Sequence, residues 1–322
     1  MVPSQPTLLR FCSQVAKSGR TERLIMLSYC WTRCEWLCLK PLVVIGVLVG
    51  VMSAAFADDA LKGDGKETIS EEQTPRKMRV KFLTQAVKNF EIKIGDDEVE
   101  SKLRAEPALV WDNPVSGTKV GILALFTRNG RPDVMAQFSF TSPQNAVNEF
   151  HNFCGDKVVM KRGTNTIWTP AETSTKWLTL DTTEKPAATP TLRLVQMRRL
   201  AEKFTVEDDF GWEKKELNQL RLLPTPVHRY GKADEETVDG AVFVYALATD
   251  PEAVLMLECA KGDAGLYWRY GFGPMSIYAL KAKLDNTVVW EIPERKVFGQ
   301  PKAVQYVFPY QLGPGESFPK GE

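Results

Sequence analysis

The amino-acid sequence predicts an α+β protein, predominantly antiparallel β-sheet in hairpins and meanders, with two or three short helices and two subdomains. Two observations carry this prediction. Apolar residues recur at helical spacing in only a few segments, whereas most of the chain after residue 105 consists of short apolar runs bounded by turn residues. These runs recur every 8 to 12 residues or so, which leaves too little chain for the crossovers that parallel strands need.

The composition is that of a globular protein. The chain has 322 residues, 43% of them hydrophobic, with 41 basic and 40 acidic side chains. A formal charge of +1 predicts no nucleic-acid partner. With only two histidines, a metal site built from several histidines is excluded, and no cofactor is predicted.

The first 57 residues have the pattern of an export signal. The apolar run 41–56 follows Arg33 and Lys40, is shorter than the roughly 20 residues of a bilayer-spanning helix, and ends at Ala55-Phe56-Ala57. This pattern predicts a Sec-type signal peptide cleaved after Ala57, and a secreted or periplasmic product with no membrane span. Met26 would start a leader of ordinary length. The alternative is an uncleaved single-pass anchor.

Cleavage would change both the charge and the cysteine content. Removing 1–57 takes away six basic and two acidic residues, so the formal charge becomes −3. Only Cys154 and Cys259 would remain. In an oxidising compartment the two could form a disulfide, or they could be two buried hydrophobic residues that never meet.

The elements follow in order after a polar linker at 58–75. Helical spacing runs from Arg76 through Val80 to Phe90, and strands 121–127 and 133–140 flank Asn129-Gly130, a type I′ hairpin signal. A short helix is expected from Ser142 to Phe150. A second hairpin (158–161 and 166–168) and a strand (177–180) complete an N-terminal subdomain, 76–180.

The segment 181–190 is rich in Pro, Ala and Thr and is expected to link the subdomains. The C-terminal subdomain, 191–322, then begins with a helix whose apolar stripe runs from Leu194 to Phe204. A meander of strands follows. Thr249–Glu252 is expected to be a type I turn with proline at its second position, and Asp285-Asn286 a further turn.

Several short stretches together resemble a family of exported planctomycete-type bacterial proteins of unknown function, over roughly residues 80 to 293. The stretches are Leu109-Val-Trp-Asp-Asn-Pro114, Arg128-Asn-Gly-Arg-Pro132, Asn148-Glu-Phe-His151, Ile167-Trp-Thr-Pro170, Arg198-Arg-Leu-Ala201, Leu220-Arg-Leu-Leu-Pro-Thr-Pro226 and Asp239-Gly-Ala-Val-Phe-Val244. The resemblance implies export and kinship, but no activity. Where the family pattern often has His-Glu-Phe-His, this chain has Asn148, which argues against a metal site of two histidines.

Histidines and a run of acids are the candidate catalytic and metal-binding residues. His151, with Glu149 beside it, and His228 could each serve as a base or a ligand. Because both histidines are flanked by apolar or aromatic residues, a structural role is the commoner reading. The acids Glu207, Asp208 and Asp209 could collect a hard cation, although an acidic loop after a basic helix is the favoured explanation.

Aromatic residues near the C-terminus are the candidate binding residues. Trp268 and Tyr270 flank Arg269, and exposed rings beside a guanidinium would suit a sugar or a peptide. Alternation along a strand would instead direct such rings into the core.

No common catalytic or nucleotide-binding motif occurs in the chain. The function predicted is therefore that of an exported cell-envelope protein, a non-catalytic binding or interaction module whose partner is an envelope protein or glycan. Two alternatives stay open: a periplasmic hydrolase or transferase using carboxylates with His151 or His228, and a structural envelope component.

Overall fold

The computed structural model describes residues 74–173, 175–211, 217–232 and 234–319. The predicted signal peptide, its cleavage site and most of the predicted linker lie outside the described residues. All of the described residues belong to one compact unit. Neither helix among them is long and apolar enough to cross a bilayer.

Two α-helices lie close to their predicted positions. Helix α1 (Pro75–Ala86) continues as a 3-10 turn (Val87–Asn89) and buries Leu83, Ala86 and Val87. Helix α2 (Pro190–Ala201) starts at a Thr189 hydroxyl that accepts a hydrogen bond from the Leu192 amide. Both helices have proline in the first turn, where its missing N–H leaves no bond unmade.

Strands make up most of the remaining described chain. Those before α2 are β1 (Glu91–Ile94), β2 (Val99–Leu103), β3 (Leu109–Asn113), β4 (Thr118–Arg128), β5 (Arg131–Ser142), β6 (Asn145–Asn152), β7 (Val158–Arg162), β8 (Asn165–Trp168) and β9 (Leu178–Thr179). Those after α2 are β10 (Phe204–Asp208), β11 (Asn218–Gln219), β12 (Arg221–Leu222), β13 (His228–Tyr230), β14 (Thr237–Leu247), β15 (Asp250–Gly262), β16 (Gly265–Pro274), β17 (Leu280–Leu284), β18 (Thr287–Ile292) and β19 (Gln305–Pro309).

These strands form three sheets of antiparallel pairs, which confirms the predicted fold class. Sheet I has the order β19-β6-β5-β4-β2-β1-β7-β8, with β3 also paired to β4. Sheet II has the order β11-β10-β17-β18. Sheet III has the order β12-β14-β15-β16-β9, with β13 also paired to β14.

The hydrophobic core consists of three clusters. One lies between α1 and sheet I, around Leu83 and Phe138, and another lies between sheet III, sheet II and α2, around Met197 and Leu255. The third joins the two larger sheets, because Met135 of β5 and Met256 of β15 belong to the same cluster. Sheets I and III therefore pack face to face.

The predicted division of the chain at 181–190 stays a prediction, but strands are exchanged across it in both directions. Strand β9, which precedes that segment, pairs with β16 of sheet III. Strand β19, close to the C-terminus, pairs with β6 of sheet I.

The predicted β4–β5 hairpin is confirmed. Asn129 and Gly130 have φ angles of 49° and 85°, the left-handed values that a type I′ turn requires at both central positions. The predicted turn at Asp285-Asn286 has the same signature, with φ angles of 47° and 69°.

The helix expected from Ser142 to Phe150 is wrong. The residues form strand β6, which pairs with β5 on one side and with β19 on the other. Ala146, Asn148 and Phe150 face the α1 side of sheet I, and Glu149 and His151 face the opposite side. Because both faces of the strand are covered, the apolar positions alone do not show the period of two.

The turn expected at Thr249–Glu252 is also wrong. The chain reverses two residues earlier, at Ala248-Thr249, where Ala248 has a φ angle of 56°. Asp250, Pro251 and Glu252 are already part of β15. The proline is tolerated because a register shift at Tyr245/Ala246 interrupts the hydrogen-bond ladder beside it.

Candidate functional site: a buried carboxylate cluster and a basic groove

Four acidic side chains from three strands form a buried carboxylate cluster. They are Glu149 of β6, Asp208 of β10, and Asp250 and Glu252 of β15. Asp208 is fully buried and Glu252 is 3% exposed. Glu149 belongs to sheet I, Asp208 to sheet II, and Asp250 and Glu252 to sheet III. The cluster therefore lies where the three sheets meet.

Strand alternation brings Glu149 and Glu252 to this place. Glu149 pairs with Gln137 of β5, on the face of sheet I that packs on sheet III. Glu252 shares a face of β15 with Val254 and Met256, which belong to the same inter-sheet core. The polar cluster therefore continues the apolar core between the two sheets.

Amide groups contact two of the carboxylates, and a guanidinium contacts one of those amides. Asp250 Oδ2 accepts a hydrogen bond of 3.0 Å from the Asn113 side-chain amide. Glu149 accepts one from the Gln305 amide, and Gln305 Oε1 in turn accepts one of 2.9 Å from Arg295 Nε. Arg295 also donates to the backbone oxygen of Ser276. Arg295 thus links the Glu149 side of the cluster to the loop that follows β16.

Burial changes the acidity of this cluster. It raises the pKa of Asp250 to about 8, and the negative charges of Glu149 and Asp208 act in the same direction. Burial, with the neighbouring Asp250 and Asp208, raises the pKa of Glu252 well above its usual range. The pKa of Asp208 is also raised by burial. Protonation of Asp250 and Glu252 therefore relieves the repulsion among these carboxylates.

His151 is fully buried beside this cluster. Its Nε2 lies 3.2 Å from Glu149 Oε1, but the angle is outside hydrogen-bond geometry and both ring nitrogens lack such a partner among the described residues. Within the same residues, no group of three His, Cys, Asp or Glu side chains is arranged to hold a metal ion. The burial of His151, Asp208 and Glu252 leaves a substrate no direct route to these groups.

Sequence reasoning found Glu149, His151 and Asp208, but missed Asp250 and Glu252 because it placed them in a turn. A third acid, the buried Glu258, was missed as well. Glu252 and Glu258 stand at the two ends of the apolar run Ala253 to Leu257. An acid within a continuous apolar strand is the signal that could have found them, since such an acid must be buried or break the strand.

Glu258 is the centre of a separate network. Its fully buried carboxylate accepts hydrogen bonds from Tyr230 OH at 2.8 Å and Arg269 Nε at 2.7 Å, and Arg131 Nε lies 2.9 Å away. The ring of Trp177 lies 4.6 and 5.2 Å from the guanidinium carbons of Arg131 and Arg269. The network links β13, β15 and β16 to Arg131 at the start of β5.

The three predicted binding residues of β16 lie on two different faces of the strand. Trp268 and Tyr270 are 1% and 4% exposed and pack in the core beneath sheet III. Arg269, on the opposite face of β16, belongs to the Glu258 network. These three side chains do not form an exposed surface for a ligand.

His228 is not close to His151. Its Nε2 lies 2.7 Å from the backbone oxygen of Gly130, in the β4–β5 turn, and burial lowers its pKa. His151 instead pairs with Met135, which is five residues, or roughly 17 Å of strand, from Gly130. The two histidines therefore share no site.

The acidic run divides into three environments. Glu207 pairs with Lys283 Nζ at 2.8 Å, Asp208 accepts a bond of 2.8 Å from Asn218, and Asp209 accepts one of 2.8 Å from the Ala279 amide. Alternation along and after β10 points neighbouring acids in different directions, so the three do not converge on one cation.

Cys154 and Cys259 are both buried and free. Cys154 lies in the core beside α1 and Cys259 in the core beside α2, so they do not pair in this structure. Burial raises the pKa of Cys154 to about 12 and that of Cys259 to about 11, which makes both thiols unreactive near neutral pH.

Two open grooves lie beside α1, with volumes of about 570 and 460 Å³, and share Lys88 in their walls. We call the two together the α1 groove. Its basic side chains outnumber its acidic ones, Glu91, Glu100 and Glu106, by three. The basic ones are Arg76, Lys77, Lys81, Lys88, Lys102 and Arg104.

Comparison with family models, curated proteins and solved structures finds no match to this chain. The resemblance to an exported bacterial family stays a prediction. The carboxylate cluster and the α1 groove are therefore the two features of the molecule from which a function can be proposed.

Proposed function

We propose that the chain is an exported, non-catalytic binding module of the cell envelope and that the α1 groove is its binding surface. The observation that carries the proposal is the separation of two features. Asp208, Glu252 and His151 are buried, whereas the groove beside α1 is open and lined by basic side chains. An open, charged groove that has no acid–base pair suits the binding of a ligand better than catalysis.

Export enters the proposal from the sequence alone. The short apolar run before Ala55-Phe56-Ala57 is the supporting pattern. Fractionation of cells that express the full chain, with N-terminal sequencing of the product, tests it. We expect a product that begins at Asp58 outside the cytosol. Full-length protein in the cytosol with an intact N-terminus would contradict export.

Binding is tested by co-sedimentation of the purified protein with isolated envelope material. The test variant is Lys81→Glu/Lys88→Glu, which reverses two charges of the groove. The matched control is Lys185→Glu/Lys261→Glu, an equal charge change at exposed lysines outside the groove. We expect the wild type and the control to sediment with the envelope and the groove variant to stay in solution. Equal sedimentation of all three proteins would locate binding elsewhere.

A hydrolase or transferase is the second candidate, and the raised pKa of Asp250 and Glu252 is the observation that favours it. A carboxyl group that keeps its proton near neutral pH can act as a general acid. Turnover of envelope glycans and esters by the wild type would be compared with that of Asp250→Asn/Glu252→Gln. We expect no turnover by either protein. Turnover that disappears in the double variant would replace the binding proposal.

A further inference from the structure

We propose that the ligand of the α1 groove is a linear anionic glycan, a sugar polymer with carboxylate or phosphate groups repeated along its length. The inference rests on the proposed function and names its ligand class. Three features of the groove carry it: the charges that have no acidic partner, their spread over two grooves that share Lys88, and the apolar side chains in the same walls.

Four bases of the groove are available to an external anion. Lys81, Lys88, Lys102 and Arg104 have no acidic side chain within 4.0 Å among the described residues. By contrast, Lys281 and Lys283 of sheet II pair with Glu291 and Glu207 at 3.0 and 2.8 Å. The groove therefore holds cationic groups that the described fold does not neutralise.

These bases extend over both grooves. Lys81 and Lys88 are seven residues apart, two turns along one side of α1 and its 3-10 extension, or roughly 10 Å. Lys88 lines both grooves, Lys81 lines only one of them, and Lys102 and Arg104 line only the other. A single small anion would meet only part of this set of charges, whereas a chain of anionic units that follows both grooves meets all of it.

Apolar side chains line the same grooves as the charges. Val80 and Val110 line one groove and Leu103 lines the other, and all three are half-buried. Sugar rings present flat C–H faces that pack on apolar surface while their substituents reach charged groups. A glycan uses both features, whereas inorganic polyphosphate would use only the charges.

The same helix gives no support for insertion into a membrane. The apolar side of α1, with Leu83 and Ala86, is buried against sheet I.

The first turn of the helix contains no acidic residue, and Thr74 makes no capping hydrogen bond. An anion beside Arg76 and Lys77 would therefore also be favoured by the positive end of the helix dipole.

Isothermal titration of the full chain with polygalacturonate tests the inference, with neutral dextran and inorganic polyphosphate as comparison polymers. We expect polygalacturonate to bind, with an affinity that falls as salt is added. Lys81→Gln/Lys88→Gln and Lys102→Gln/Arg104→Gln should each lower that affinity by tenfold or more. Lys185→Gln/Lys261→Gln should leave it unchanged, and thermal unfolding of each variant checks that it is folded.

Several outcomes would overturn the inference. These are equal affinity in all variants, equal binding of dextran, and tighter binding of polyphosphate than of polygalacturonate. If the protein sediments with envelope material but does not bind anionic glycans, only this inference is contradicted. If it neither sediments with the envelope nor binds anionic glycans, the proposed function is contradicted as well.

Discussion

At the scale of single residues, the structure is most sensitive where one buried acid neutralises two bases. Glu258 is fully buried, while its partners Arg131 and Arg269 have side chains 26% and 12% exposed. The exposed part of each guanidinium can be hydrated, but the carboxylate depends on its protein partners. Glu258 thus joins β15 to the β4–β5 turn through Arg131.

We expect Glu258→Gln to lower the free energy of unfolding by about 3 kcal/mol, the lower end of the range for breaking a buried ion pair, because Arg131 stays partly hydrated. Urea denaturation measures the change. Glu236→Gln is the control, since Glu236 pairs with the same Arg269 but is 65% exposed and should lose less than about 1 kcal/mol. Equal losses of unfolding free energy in the two variants would show that the buried Glu258 network contributes no more to stability than the exposed Glu236 pair.

A glycine supports the same network. The Tyr230 ring, whose hydroxyl binds Glu258, packs directly on the backbone of Gly240, and a Cβ there would overlap the ring. We expect Gly240→Ala to destabilise the fold by about 1 to 3 kcal/mol, because the ring must shift. Gly155→Ala is the matched control, since a Cβ at Gly155 meets nothing within 4 Å. Thermal unfolding of the two variants compares them, and similar midpoints would contradict this packing.

At the scale of elements, the Asn129-Gly130 turn was easier to predict than strand β6. Asn129-Gly130 specifies its turn by local backbone chemistry, since both residues tolerate positive φ. Strand β6 has β5, its neighbour along the chain, on one side, but its other partner, β19, is more than 150 residues away. Its apolar residues fit a helix as well as a strand when those partners are ignored.

We expect Gly130→Ala to test the hairpin at this scale. Gly130 has a φ angle of 85°, which an alanine adopts only with strain, so the variant should lose about 1 to 2 kcal/mol of stability. Gly163, in the β7–β8 turn at the end of sheet I, also has a positive φ angle, of 58°. Gly163→Ala is the comparison variant, because it places the same backbone strain in a turn that joins shorter strands. Urea denaturation measures both. No loss at Gly130 would mean that the turn relaxes to another type.

At the scale of the whole molecule, the carboxylate cluster makes stability depend on pH. The pKa of Asp250 is about 8 in the folded protein, against an ordinary value of 3.8. Between these values the folded state keeps a proton that the unfolded chain releases. The free energy of unfolding should therefore fall as the pH rises from about 4 to 8, and Glu252 acts in the same direction.

We expect the wild type to be less stable at pH 8 than at pH 5 by more than about 1.4 kcal/mol, the equivalent of one pKa unit. Asp250→Asn should flatten this dependence, since an amide cannot ionise. Asp96→Asn is the control, because Asp96 is 93% exposed and should leave the profile unchanged. Urea midpoints across this pH range measure the effect. A wild-type profile that rises toward pH 8 would show that the cluster is ionised in the folded state.

The sequence by itself determined the fold class, both helices and the hairpin at Asn129-Gly130, because each depends on residues that are neighbours along the chain. It also identified Glu149, His151 and Asp208 as residues that need an explanation. Only the tertiary structure decided that Glu149 and Asp208 meet Asp250 and Glu252, that Trp268 and Tyr270 face the core, and that Lys88 and Lys102 line one groove. Those outcomes depend on which strands pair across more than a hundred residues, and local spacing carries no information about that pairing.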